Sequence, residues 1–158
     1  MDSKEIKTKL LHFFRFRKRY VFIATEAGRW ESDVLVSNES EILEIEVKVS
    51  LADFKNDFKK KKHFHYQNPT AYQKGNLPNK FFFCVPESLV EDVLPLIQDG
   101  PYGLLSCVEG KITKRGSFIK HIKSAKNLRE GISKKLLHAL QLRMGSELIR
   151  TRIKDLEK

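Results

Sequence analysis

The sequence predicts an α/β domain in which a mixed sheet is flanked by helices, with an extra helix at the C-terminal end. Three observations carry this. The chain has 158 residues, 41% apolar and 32% charged, which is globular composition and enough for one closed core. Short runs rich in β-branched and aromatic residues alternate with stretches of helical period. Their order, a hairpin-rich front half followed by a βαβα tail, implies a sheet with both antiparallel and parallel pairs. No repeat or linker divides the chain, so one domain spans residues 1–158.

Residues 2–20 read as the first helix, capped by Asp2 or Ser3, with Ile6, Leu10, Phe13 and Phe14 at helical spacing. YVFIAT, residues 20–25, is a strand ended by Ala27-Gly28. Residues 32–37 form the second strand, and Asn38-Glu39-Ser40 turns the chain into a third over residues 41–49. Ser50 caps a helix running through about Tyr66, with Leu51, Phe54 and Phe58 as its apolar stripe. A loop at 68–79 leads to the apolar strand KFFFCV at 80–85. A helix follows from Pro86 to about Ile97, then a buried strand at 103–108 and a short strand, KITK, after Glu109-Gly110. The last helix spans about 131–156, with Leu136, Leu140, Met144, Leu148 and Ile153 on its apolar face.

Lys and Arg number 30 against 20 Asp and Glu, a net charge of +10. Such a surface attracts polyanions, nucleic acid first among them. No apolar run is long enough to span a bilayer, and no basic amphipathic helix carries Trp or Leu anchors, so a membrane partner is not expected. The charged N-terminus lacks the apolar segment of a secretory signal, and the expected location is cytoplasmic. Cys84 and Cys107 sit in apolar runs without metal-ligand spacing and read as buried thiols.

The third strand is the most informative stretch. Side chains alternate faces, so Leu43, Ile45, Val47 and Val49 form an aliphatic stripe while Glu44, Glu46 and Lys48 gather on the other face. Asp33 falls on the polar face of the neighbouring strand and can approach Glu46. Two carboxylates brought together repel unless a cation lies between them. Hard oxygen ligands with room for water describe a Mg²⁺ site. Lys48, two residues beyond Glu46 on the same face, would stand where a nucleophilic water or a scissile phosphate is stabilised. The simpler reading of Glu44, Glu46 and Lys48 is a solvated strand face with cross-strand ion pairs.

Asp33, followed at a hairpin's distance by Glu46-Val47-Lys48, resembles the PD-(D/E)XK nuclease superfamily, in the branch of small bacterial and phage DNA-repair-type nucleases related to restriction endonucleases and Holliday-junction resolvases. The resemblance covers about residues 1–108 and leaves a C-terminal extension of about 109–158. It implies an αβββαβ restriction-endonuclease-like core and hydrolysis of phosphodiester bonds in DNA with Mg²⁺, or Mn²⁺ in its place. On this resemblance Asp33 and Glu46 bind metal, the Val47 carbonyl completes the shell and Lys48 is the catalytic lysine; Ser32 stands where the name-giving Pro would be. Glu26 is the best match for an additional acid, with Glu5 and Glu31 as rivals. Lys59, Lys62 and Tyr66, on one face of the following helix, would handle phosphates. Many such enzymes act as dimers, so a homodimer is compatible with the resemblance.

The rival class keeps the fold but makes the chain a non-catalytic nucleic-acid-binding module. The residues do not distinguish DNA from RNA, nor endonuclease from exonuclease. His63 and His65 face apart on a helix and make a poor metal pair. The basic segment 111–127 suits backbone contacts, and Trp30 and Phe118 have the chemistry to stack on unpaired bases.

Overall fold

A computed structural model of the chain describes residues 1–68, 75–114, 116 and 118–158. The strands are β1 (Phe22–Ala27), β2 (Ser32–Ser37), β3 (Ile42–Val47), β4 (Lys80–Pro86), β5 (Gly103–Cys107) and β6 (Ile119–Lys123). They form one six-stranded sheet in sequence order. The β1–β2, β2–β3 and β5–β6 pairs are antiparallel, whereas β3–β4 and β4–β5 are parallel. The expected mixed sheet is present. Helices are α1 (Ser3–His12), α2 (Leu51–Asp57), α3 (Lys61–Gln67), α4 (Val90–Ile97) and α5 (Lys134–Leu156).

The alternation in β3 divides the core. Val34, Val36, Leu43 and Ile45 face Ile6 and Leu10 of α1, together with Phe14. On the other face Phe81, Phe83 and Leu104 meet Phe54, Tyr66, Val93 and Ile97 from the crossover helices. Leu35 and Ile42, with Ala24 and Ala27 of β1, are covered by Leu136 and Leu140 of α5. At Gly28, whose φ of +79° favours glycine, an added Cβ would come 3.1 Å from Leu136 Cδ1.

Several expected boundaries move, each for a visible reason. The first helix ends at His12 and opens into a wide π-helical turn, Phe13–Arg17. The helix expected over 50–66 divides at Phe58–Lys60, so Lys59, Lys62 and Tyr66 do not share one continuous helical face. The face of β3 carrying Glu44 and Glu46 is buried rather than solvated, because α2 and α3 fold over it. KITK is not a strand: Val108 N–H donates to the Phe118 carbonyl at 2.9 Å, so the returning strand starts later, as β6. Ser133 caps α5, accepting from Leu136 N–H, but Leu148 and Ile153 are exposed rather than packed. A 23-residue helix is about 34 Å long, roughly twice what a short edge strand can cover. Residues 69–74 of the expected loop, and Arg115 and Ser117 of the second basic segment, lie outside the described residues. Both cysteines are free and buried, as expected. Among the described residues no helix is long and apolar enough to cross a membrane.

Candidate active site at the end of the third strand

The site is built where β3 ends. The β2–β3 register runs from Ser37↔Ile42 to Val34↔Ile45, and one more step sets Asp33 opposite Glu46. There the backbone ladder stops, and the Asp33 carboxylate takes over: its Oδ2 accepts from Val47 N–H at 2.8 Å. Its Oδ1 lies 2.7 Å from the Lys7 ammonium, which also bonds Glu26 at 2.6 Å. Lys7 thus joins the two acids. Its pKa is raised, because the hydrogen bonds and charges of Asp33 and Glu26 outweigh its partial burial.

Glu46 is almost fully buried, and three lysines meet it. Lys60 lies at 2.6 Å, Lys62 at 3.1 Å and Lys48 at 3.4 Å. Burial pushes the Glu46 carboxyl up, but Lys62, the hydrogen bond from Lys60 and Lys48 outweigh burial and the nearby Asp57 charge, and hold it low. Two positions earlier on the same face, Glu44 binds Lys62 at 2.8 Å and the Tyr66 hydroxyl. Lys62 and Tyr66 are therefore core side chains facing Glu44, and as placed they do not reach a phosphate backbone; Lys59 is exposed at the helix break.

Asp57 completes the arrangement. It follows Phe54 by three residues on α2, so the helical period turns it into the core with the phenyl ring. Its Oδ1 lies 2.6 Å from Lys48 and 2.7 Å from Lys60, contacts that are ionic rather than directed hydrogen bonds. Its Oδ2 meets His63 Nε2 at 2.5 Å, and His63 Nδ1 meets the Tyr102 hydroxyl at 2.9 Å. Burial raises the Asp57 carboxyl, while His63, Lys48 and Lys60 outweigh it and hold it far below the carboxylate range. Burial also pushes the Tyr102 phenol up to about 12.

Asp33, Glu46, Val47, Lys48, Asp57 and Lys60 line one cleft of about 410 Å³ beside the start of α1. Five carboxylates (Glu26, Asp33, Glu44, Glu46 and Asp57) stand against four ammonium groups (Lys7, Lys48, Lys60 and Lys62). Carboxylates thus outnumber ammonium groups by one here, inside a chain of +10. Of the upstream acids, Glu26 is linked to Asp33 through Lys7; Glu5 pairs with Lys9 instead, and Glu31 sits exposed with φ of +49°. Trp30 has Arg29 over its ring and Phe118 has Lys9 over its ring, and both are half-buried. Among the described residues no group of three or more His, Cys, Asp or Glu is arranged to hold a metal ion.

Asp57, Lys60 and Lys7 escaped the sequence reading. Asp57 had a signal: a carboxylate on the buried face of a helix requires cationic partners. Lys60 stands at the break between two helices, where no period applies, and nothing local distinguishes Lys7 from the other lysines of α1.

The network sets a pH range for stability. Asp57 and Glu46 have depressed values, so their contribution is full above the ordinary carboxylate range, about pH 4, and is lost as pH falls toward their folded values. Lys60 and Lys62 are raised by Glu46, Asp57 and Glu44 despite burial. Their contribution is full below about pH 10.4 and is lost as pH rises through the folded values. Urea unfolding should give a plateau between these limits, falling on both sides, and Asp57→Asn should flatten the acid limb. An acid limb unchanged by that substitution would mean Asp57 is not held as an anion.

No family model and no curated protein sequence matches this chain. Among solved structures, the SPO1766 protein from Silicibacter pomeroyi, a protein of unknown function, is similar in fold. The TM-score is 0.53, covering 91% of this chain and 88% of that one, at 18% sequence identity.

Proposed function

We propose that the chain is a metal-dependent deoxyribonuclease on a restriction-endonuclease-like core, hydrolysing phosphodiester bonds in DNA repair, recombination or phage DNA processing. The observation that carries this reading is the meeting of Asp33, Glu46, Val47 and Lys48 in one cleft at the end of β3. The donors suit a hard cation: two carboxylates and the Val47 carbonyl, with water filling the rest, fit Mg²⁺, and Mn²⁺ accepts the same oxygen donors. The half-exposed Lys60 ammonium already lies between Glu46 and Asp57 at 2.6 and 2.7 Å, which supports a cation at that position. Mg²⁺ bound in the cleft would polarise the scissile phosphate and make water a stronger nucleophile.

The chain's own residues do the rest. Asp57 holds Lys48 close to Glu46, so its ammonium is positioned to orient the attacking water or to stabilise charge on a phosphate oxygen. Glu26 holds Lys7 against Asp33. Lys60, on a flexible stem, is the ammonium free to leave Glu46 and meet a phosphate. Lys59 and the segment 111–127 supply backbone contacts outside the cleft. A second reading, a non-catalytic nucleic-acid-binding module, is favoured by the ion pairs that already engage Asp33 and Glu46.

Incubation with supercoiled, linear, single-stranded and four-way-junction DNA separates the two. Cleavage is expected with Mg²⁺ or Mn²⁺ and none with EDTA. Lys48→Ala should slow single-turnover cleavage about a hundred- to a thousandfold, roughly 2.7–4 kcal/mol, while calorimetry shows Mg²⁺ binding retained. DNA binding without cleavage under every metal would favour the binding module, and a wild-type rate for Lys48→Ala would make Lys48 an ordinary ion-pair partner.

A further inference from the structure

We infer that the π-helical turn after α1 is a second nucleic-acid contact, in which Phe16 stacks on an unpaired base while Arg15, Arg17, Lys18 and Arg19 hold the flanking phosphates. This rests on the nucleic-acid reading above and names a substrate class: DNA with a single-stranded segment.

Five consecutive residues, Arg15 to Arg19, are exposed between buried Phe14 and Tyr20. Four are cations, and the fifth is a phenylalanine with 69% of its surface in water. The ring lies 5.2 Å from that of half-buried His12 and, held out among like charges, gains nothing from the core. Among the described residues, none of the four cations forms an ion pair, and the side chains of Arg17 and Arg19 make no hydrogen bond. Arg15 reaches only the Tyr20 carbonyl at 3.3 Å, and Lys18 lies over the Phe13 ring at 5.7 Å.

The turn is displayed rather than loose. Its widened bonds run from Lys18 N–H to the Phe13 carbonyl and from Tyr20 N–H to the Phe14 carbonyl, at 3.0 and 2.8 Å. Phe14 and Tyr20 anchor both ends, their rings 5.1 Å apart, and the Tyr20 hydroxyl donates to Glu41 at 3.1 Å. Arg19, at φ of +58°, reverses the chain between the anchors. A backbone held this way loses little freedom when a ligand binds. An aromatic-lined recess of about 260 Å³, with Lys18 and Lys80 among its lining residues, opens beside the turn.

Charge identifies the partner as a polyanion, and the ring selects one that offers unstacked faces. Bases in a duplex are already stacked, whereas those of a single strand are open to Phe16. Glu41, which the turn touches, precedes β3, and the cleft lies at the other end of that strand, roughly 17 Å away at strand rise. A strand held at the turn can therefore lead to a cleft on the same molecule.

Fluorescence anisotropy with labelled oligothymidylate and with a blunt duplex tests this. Phe16→Ala should weaken oligothymidylate binding about tenfold, leave duplex binding within about twofold, and be rescued by Phe16→Trp. Arg17→Ala with Arg19→Ala should weaken oligothymidylate binding and flatten its salt dependence by about 0.7 per lost contact. Unchanged oligothymidylate binding by Phe16→Ala, or equal loss on both DNAs, overturns the stacking contact and leaves the nucleic-acid reading standing. Loss of binding to phosphatidylglycerol vesicles with DNA binding intact overturns it in favour of a membrane contact. A wild-type protein that binds neither DNA overturns both.

Discussion

Glu46→Ala is expected to take phosphodiester cleavage down to background, a loss on the order of a thousandfold or more, since a metal ligand supports several kcal/mol of transition-state stabilisation. DNA binding should stay the same or tighten. On the proposed reading the two effects separate, because Glu46 would play opposite parts toward substrate and cation. It is an anion beside the expected path of a polyanion, so its removal relieves repulsion and leaves Lys60, now 2.6 Å away, with Asp57 as its remaining partner at 2.7 Å. It is also one of only two carboxylates proposed to hold Mg²⁺, so the cation loses half of its charged ligands. Asp33→Ala should behave alike. Glu46→Gln keeps the shape and removes the charge, and should be as inactive as the alanine variant. Single-turnover cleavage at saturating DNA, beside anisotropy for binding and circular dichroism for folding, measures each part. Cleavage at the wild-type rate by a folded Glu46 or Asp33 variant would remove both residues from the site.

Lys62→Met should destabilise the fold by about 3–5 kcal/mol, the cost of breaking a buried ion pair by removing one partner. Only 1% of the Lys62 side chain is exposed, and it faces Glu44 and Glu46 at 2.8 and 3.1 Å. Methionine fills the same space without the charge. Glu46 keeps Lys60 and Lys48, but among the described residues Glu44 keeps only the Tyr66 hydroxyl, leaving an anion in a nearly dry site. The double variant Lys62→Met, Glu44→Gln should recover part of the deficit, because no isolated charge remains. Urea denaturation of the two variants and the wild type completes the comparison. A loss for Lys62→Met below about 1 kcal/mol, the scale of an exposed pair, would mean the ammonium is solvated.

The sheet was readable because two rules sufficed. Alternation in residues 42–47 assigns Leu43 and Ile45 to one face and Glu44 and Glu46 to the other. The unbroken run KFFFCV suits a strand covered on both sides. What the period could not supply was a partner. It placed Lys62 and Tyr66 on a helical face with Lys59, but helical period ends at the break in residues 58–60, and beyond it Lys62 and Tyr66 turn inward to Glu44. Nor could strand alternation say whether a polar face is wet: that depends on α2 and α3 lying across it, a tertiary fact. The shift from KITK to Ile119–Lys123 has a similar origin, since pairing with β5 decides where the returning strand begins. At the far end of the chain, Leu148 and Ile153 keep the spacing of a buried stripe on a helix longer than the strand beneath it.

That same helix ties the beginning of the fold to its end. Thr25 N–H in β1 donates to the Glu147 carboxylate, 122 residues later, and Arg143 reaches back to the Thr25 carbonyl. Ala24 and Ala27 are covered on that face by α5, through Leu136 and Leu140 with Leu137 and Met144 beside them. On a ribosome, at about 5–20 residues per second, roughly 6–24 seconds pass between the emergence of the strand and that of its lid. Through that interval β1 is an edge strand with an open apolar face, the condition under which strands pair with the wrong chain. The meander β1–β2–β3 can form early, but it cannot be closed until α5 has been made.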